Sequence, residues 1–191
     1  MSSQYVYDQF FDKADVDATG LLKGEYEQCS FNGCDFSSGT LADYKFVDCV
    51  FIDCNLSLTK LTGTAFRDCT FQGCKLLGLH FDSCNPVGFA VKFESCLLNH
   101  ASFYALSMKQ TNFAQSSLIE VDFSESDLTG SQFDSCDLLG AVFDRTNLEQ
   151  VDFTTAANFT IDPETNKIRK AKFSSQNLIG LVSKFGIIVS D

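Results

Sequence analysis

The residues able to do chemistry in this chain are its nine cysteines, two histidines and many carboxylates. Cys29, Cys49 and Cys69 stand twenty residues apart, as do Cys34, Cys54 and Cys74, and Cys96, Ser116 and Cys136 keep the interval. Structural zinc sites draw on C-x₂₋₄-C pairs converging from turns, and spacings of five and twenty do not supply them. Disulfides between stacked cysteines ~4.8 Å apart fall inside the permitted Cα window, but parallel Cβ vectors and a reducing compartment oppose them. Cys84 alone falls outside the regular spacing, which leaves a reactive thiol open at that position. His80 and His100 have no Cys–His or Ser–His–Asp context, and there is no glycine-rich phosphate loop. No catalytic residue, metal or cofactor is expected.

The carboxylates carry a different chemistry. Between Glu120 and Asp152 stand Glu120, Asp122, Glu125, Asp127, Asp134, Asp137, Asp144, Glu149 and Asp152, against the single base Arg145. With a net charge of −11 the chain is ill suited to bind nucleic acid directly, since that requires cations to neutralise phosphates. Two readings of the acidic stretch stay open. It is a solvated surface that keeps the protein soluble, or a duplex-like field that complements a basic, DNA-binding surface on another protein.

What positions these residues is a period of five. Large apolar residues recur from Phe11 through Val16, Leu21, Tyr26 and Phe31 to Phe81, and again from Phe93 through Leu98, Phe103 and Met108 to Phe153. Neither a helix of period 3.6 nor an alternating strand generates that interval. Two residues before each centre the side chain is nearly always small or β-branched, as at Cys96, Ala101, Thr111, Ser116, Val121 and Ser126. In extended backbone i and i−2 share a side, so both face inward, while i−1 residues such as Asp122, Asp127, Asp137 and Asp152 face water. Twenty residues make four such steps, hence a four-sided coil, and stacked coils satisfy one another's backbone.

The steps Ala101–Ala105, Ser126–Gly130 and Ala141–Arg145 resemble the A(D/N)LXX consensus of the pentapeptide-repeat family. The resemblance implies an all-β fold, a right-handed quadrilateral parallel β-helix with a short C-terminal helix. The segment Asn177–Val189, NLIGLVSKFGIIV, is similar to the closing helix and strand of the Qnr quinolone-resistance and microcin B immunity proteins, and the preceding Ile161–Ile168 resembles the immunity protein. Those relatives are acidic rods that mimic duplex DNA and protect DNA gyrase and topoisomerase IV. By that resemblance the chain is a homodimeric protection factor against quinolones or a toxin, with gyrase or topoisomerase IV as protein partner and the nine carboxylates as the binding surface. The two long loop insertions of the Gram-negative Qnr proteins are missing. The rival from another class is a non-catalytic scaffold binding an unrelated protein.

Four regions follow. Residues 1–81 are N-terminal coils, 82–92 a register break around Pro86 and Gly88, and 93–173 C-terminal coils interrupted by a loop at 154–170. Residues 174–191 are a cap. There Ser174 or Ser175 opens a short helix, Leu178, Leu181, Val182 and Phe185 fall at i, i+3, i+4 and i+7, and Gly186 closes it. Ile187, Ile188 and Val189 read as a strand. An open solenoid end must be covered, and the apolar excess here, including Ile187 and Ile188, points to a two-fold dimer through this end. Met1–Phe10 shows no signal-peptide pattern and no apolar run is long enough for a membrane span, so the expected location is the cytoplasm.

Overall fold

The computed structural model describes residues 4–13 and 20–187. Val16, Ile188 and Val189, to which the repeat and the closing strand were assigned, lie outside them. Eleven strands of three or four residues are described: β1 Gln4–Tyr7, β2 Phe10–Asp12, β3 Gly24–Glu27, β4 Ser30–Asn32, β5 Lys45–Val47, β6 Val50–Ile52, β7 Ala65–Arg67, β8 Cys69–Gln72, β9 Val91–Glu94, β10 Asn112–Ala114 and β11 Gln132–Asp134. They form two parallel sheets, β1-β3-β5-β7 and β11-β10-β9-β8-β6-β4-β2. Pairing is at twenty residues, as in Phe31↔Phe51 and Phe113↔Phe133, and isolated parallel bridges such as Asn55↔Lys75 and Ser102↔Asp122 continue it on the other sides. The all-β parallel solenoid therefore follows from the twenty-residue period.

The strands are short because the chain turns two residues after each centre. Gln28, Asp48, Asp53, His100, Glu120 and Glu125 all adopt positive φ between 51° and 61°. This is the left-handed region, which glycine enters freely and other residues at some cost. At Gly73, φ is +63° and an added Cβ would also strike the Asp53 carboxylate in the coil below. Glycine meets both conditions without backbone strain and without displacing the Asp53 side chain.

We number the four faces by their buried centres. Face 1 holds Phe31, Phe51, Phe71, Phe93, Phe113 and Phe133; face 2 Leu56, Leu76, Leu98, Leu118 and Leu138. Face 3 holds Leu61, Phe81, Phe103, Phe123 and Phe143; face 4 Tyr26, Phe46, Phe66, Met108, Leu128 and Leu148. On face 1 one ring per coil stacks on the next, with centroids 4.8 Å apart for Phe31–Phe51 and for Phe113–Phe133. A second stack runs Tyr26–Phe46–Phe66 on face 4, then transfers to Phe81–Phe103–Phe123–Phe143 on face 3. Edge-to-face contacts join the two stacks, as between Phe113 and Phe123 at 5.8 Å.

The transfer coincides with the break. Cys69↔Val91, Lys75↔Leu97 and His80↔Ser102 pair at an interval of 22 residues, so two extra residues lie within one coil. Asn85 N donates to Thr64 O at 2.8 Å, which stacks Cys84 on Thr64 in the inward i−2 position. Cys84 thus belongs to the ladder and is 5% exposed, which corrects its reading as an outlying reactive thiol. Pro86, Val87 and Gly88 project outward, and Phe89 returns to the core with its ring 6.2 Å from that of Phe81.

At the C-terminal end the expected loop at 154–170 is narrower than the sequence suggests. Ala157 still pairs with Asp137 and Lys167 with Asn147, so the coil keeps its length and only about one face, 158–165, is irregular. Asn166 explains how the ladder survives: its Oδ1 accepts from Thr146 N at 2.8 Å and its Nδ2 donates to Phe143 O at 2.9 Å. The cap is a single helical turn, α1 Ile179–Val182, tightening to a 3₁₀ turn at Ser183–Phe185. Gly186 ends it at φ 61°, as expected from its type, and Ser174 Oγ accepts from Asn177 N at 3.3 Å just upstream. The four-residue apolar stripe is not kept, because so short a helix changes pitch before Phe185 is reached. Leu181 packs on the core, whereas Leu178 and Phe185 are exposed. Gly180 lies directly against the carbonyl and ring of Phe159, where no Cβ fits. Ile187 is exposed and not in a strand.

Candidate functional site

The nine carboxylates between Glu120 and Asp152 do not share a face, because their segment winds around the rod more than once. Asp134 and Asp152 lie on face 1, Asp137 on face 2, Asp122 and Asp144 on face 3, and Asp127 and Glu149 on face 4. Glu120 and Glu125 occupy corners, with φ of 55° and 59°. The structure therefore gives an acidic girdle rather than one acidic side.

Cations neutralise part of this girdle. Arg145 lies 2.9 Å from Glu125 Oε1 and 3.2 Å from Asp144 Oδ2, Lys109 is 3.3 Å from Asp127 and Lys172 3.2 Å from Asp152; the Glu120 carboxylate instead faces the His100 imidazole, with Nδ1 at 3.2 Å. Among the described residues, Asp122, Asp134, Asp137 and Glu149 have no basic side chain at ion-pair distance, and they stand one on each face. Asp134 accepts from Thr155 Oγ1 at 2.7 Å, Asp137 from Asn158 Nδ2 at 2.8 Å and Asp122 from Ser124 N at 2.9 Å. Hydrogen bonds from Thr154, together with Lys172, hold the Asp152 carboxyl below the usual carboxylate range. At Asp127 partial burial raises the pKa, but the bonds from Thr129 and the Lys109 ammonium outweigh it and the net direction is down. Asp127 and Asp152 are thus held in the ionised form at neutral pH.

Inward, the cysteines do more than fill space. Cys49 Sγ donates to Tyr26 O at 3.3 Å, Cys74 to Phe51 O at 3.3 Å, Cys96 to Phe71 O at 3.3 Å and Cys136 to Phe113 O at 3.0 Å. Thr59, Thr64, Ser131 and Thr146 make the same bond with hydroxyls, to Phe36, Leu41, Met108 and Phe123. Each of these i−2 donors is spent on a carbonyl of the coil below; at Ala101, Val121, Ala141 and Val151 the position is filled by a small or β-branched apolar side chain instead. The recurrence of Cys, Ser and Thr among the i−2 residues is the sequence signal for those bonds. Burial pushes the Cys49 thiol up to about 12 and the Cys136 thiol to about 11, and raises Cys69 and Cys84 as well. These thiols are protonated donors at neutral pH. Among the described residues no three of His, Cys, Asp or Glu gather closely enough to hold a metal ion, and no helix is long and apolar enough to cross a membrane.

At the cap, Leu178, Ile179, Phe185 and Ile187 are 45–58% exposed and form the apolar surface of that end. Val182 is half-buried. Asn177 Nδ2 donates to Phe153 O at 2.8 Å, Ile161 N to Gly180 O at 2.9 Å, and Lys184 Nζ lies 2.6 Å from both Asp162 Oδ1 and Glu164 Oε2. Those contacts tie α1 to the irregular stretch 158–165. The Lys184 latch was not read from the sequence, since a single Lys within an apolar segment gives no pairing signal.

A family model described as a pentapeptide repeat region matches residues 25–103 and 46–123, and one described as pentapeptide repeats (8 copies) matches 122–157. No curated protein sequence matches the chain. Among solved structures, a trypsin-treated variant of QnrB1, described as a plasmid-mediated fluoroquinolone resistance protein, is similar with a TM-score of 0.58, 14% identity and 100% of both chains covered. Another trypsin-treated QnrB1 variant gives 0.60 at 14% identity over 98% of each chain. HetL, a pentapeptide repeat protein involved in heterocyst differentiation regulation in the cyanobacterium Nostoc, gives 0.32 at 15% identity over 88% of this chain and 84% of its own.

Proposed function

The chain belongs to the pentapeptide-repeat family, and from that premise we propose that it is a non-catalytic, DNA-mimicking binder of type II topoisomerase that protects gyrase or topoisomerase IV from a quinolone or a toxin in the cytoplasm. One observation carries the reading. Negative charge is held on a rigid rod and presented on all four faces, with one unpaired carboxylate on each face of the girdle. A rod charged all round resembles duplex DNA more closely than a rod with one acidic side. B-DNA carries one charge per ~1.7 Å of axis, denser than a net charge of −11 spread along the whole rod, so the rod competes by shape and long-range field together. In this reading two copies associate through the exposed apolar residues of the cap, doubling the length of the rod.

The same four-sided distribution is also what a solubility device would show, which keeps the scaffold reading as the rival. Gyrase supercoiling assays with purified protein, with and without ciprofloxacin, separate them. Rescue of supercoiling supports protection, inhibition alone supports mimicry without protection, and no effect in either condition favours a scaffold with another partner.

A further inference from the structure

A regular rod has a recognition problem. Moved by one coil, or turned by one face, it presents nearly the same surface, so charge alone steers it into a groove without fixing where it stops. Electrostatic complementarity sets register only where the pattern is not uniform. Among the described residues, the pairing interval departs from twenty in one coil, at the two-residue bulge. We propose that this bulge is a key of reversed polarity that sets the register of the rod on its protein partner; the proposal rests on the topoisomerase reading above.

The bulge is built to present its tip rigidly. Asn85 Oδ1 accepts from Val87 N at 3.0 Å, Phe89 N donates to Pro86 O at 3.4 Å, and Ala90 N donates to Phe66 O at 3.1 Å. Buried Cys84 and Phe89 anchor its two ends, and Gly88 supplies the turn at φ +71°. Val87, at the tip, is 68% exposed, more than any other large apolar residue described.

Three cations, Arg67, Lys92 and Lys109, gather beside it. The Arg67 side chain lies along Gly88, with Nε 3.5 Å from where a Cβ would stand. Lys92 and Lys109 outnumber the one carboxylate, Asp68, in the lining of the adjoining groove, with Phe89 and Met108 at its floor. Lys109 also reaches Asp127; Arg67 and Lys92 have no carboxylate at ion-pair distance among the described residues. A basic DNA-binding groove would repel this spot. It fits an apolar side chain flanked by carboxylates, which belongs to the protein wall beside such a groove and not to any surface that binds phosphate.

The test exploits a sign. Arg67→Glu with Lys92→Glu makes the rod still more acidic, so a purely global charge effect predicts tighter binding to gyrase. The key predicts the opposite, a loss of affinity of about tenfold or more, and Val87→Asp should lose a similar factor. Lys60→Glu with Lys75→Glu, which adds the same charge on faces 3 and 2, should not weaken binding. Circular dichroism and melting establish that each variant is folded, and titration calorimetry against gyrase reads affinity. Wild-type protein that fails to bind gyrase retires the topoisomerase reading itself. Wild-type binding with both bulge variants within twofold of it, or an equal loss in the Lys60/Lys75 control, overturns the key and leaves that reading standing.

Discussion

The Cys54 thiol lies 3.3 Å from the main-chain oxygen of Phe31, one coil below it. The same relationship recurs at Cys49, Cys69, Cys74, Cys96 and Cys136 with their own lower neighbours. It explains why a chain rich in cysteine shows no ligand-like clustering: eight of the nine sulfurs, all but Cys84, are spent inside, on a carbonyl.

Two outcomes follow for the thiols. In the native protein none of the nine should react with Ellman's reagent, Cys84 included, because all are buried and only the thiolate attacks; all nine should titrate after unfolding in guanidinium. Cys54→Ser, which keeps a donor, should be better tolerated than Cys54→Ala, which loses one at a cost of about 0.5–1.5 kcal/mol. Equal stability of the two variants would show that the sulfur only fills volume.

Phe123 is fully buried between the rings of Phe103 and Phe143, at 5.4 and 5.3 Å. Phe123→Ala should cost about 3–5 kcal/mol, since the coils above and below are held apart by backbone ladders and cannot collapse into the void. Chemical unfolding reads the loss directly, and a value under about 1 kcal/mol would mean that the stack contributes little.

Much of this architecture was legible because a five-residue period has few physical explanations. The register break and the helix-ending role of Gly186 were legible for the same reason, being departures in spacing or residue type. What escaped was anything set by the third dimension. Cys84 looked displaced because the insertion follows it rather than precedes it. Nine acids close in sequence looked like one surface, yet twenty residues of chain visit every face. Leu181 and Phe185 looked equivalent on a helical wheel, but only Leu181 meets the core.

That last difference decides how association is tested. Leu178→Arg with Phe185→Glu places charge on residues that are 47% and 58% exposed, leaving Leu181 and Gly180 to hold the cap. Light scattering should report a folded monomer in place of a dimer. A persistent dimer would move the interface away from this end.

The Lys184 latch should make the cap pH-dependent at both extremes. Lys184, its largest influence, depresses the Asp162 pKa, so that contribution is present above the ordinary carboxylate value of ~3.9 and is lost as pH falls through the lower folded value. Asp162, followed by Glu164, raises the Lys184 pKa, so that contribution is present below the ordinary lysine value of ~10.4 and is lost as pH rises through the higher one. Hydrogen exchange over 177–187 should show a protected plateau through neutral pH that Lys184→Met abolishes. Protection that is the same in the variant would assign closure to Leu181 and Asn177 alone.

The acidic girdle gives the sharpest test of mimicry, because its charges fall into two sets. Asp122, Asp134, Asp137 and Glu149 are unpaired, whereas Glu125, Asp127, Asp144 and Asp152 already face a cation. An unpaired carboxylate projects its field outward, while a paired one is largely cancelled beyond a Debye length of ~8 Å. Neutralising the unpaired set to Asn or Gln should weaken gyrase binding several-fold, mainly through slower association, and should flatten its salt dependence. Neutralising the paired set frees Arg145, Lys109 and Lys172 and should weaken binding too, but by adding repulsive cations; replacing those cations with Gln in the same background restores it. Single substitutions then sort the faces: whichever of Asp122, Asp134, Asp137 or Glu149 costs most marks the side lying deepest in the groove. If all variants bind like wild type at low salt with an unchanged circular dichroism spectrum, the girdle keeps the rod soluble and does not recognise gyrase.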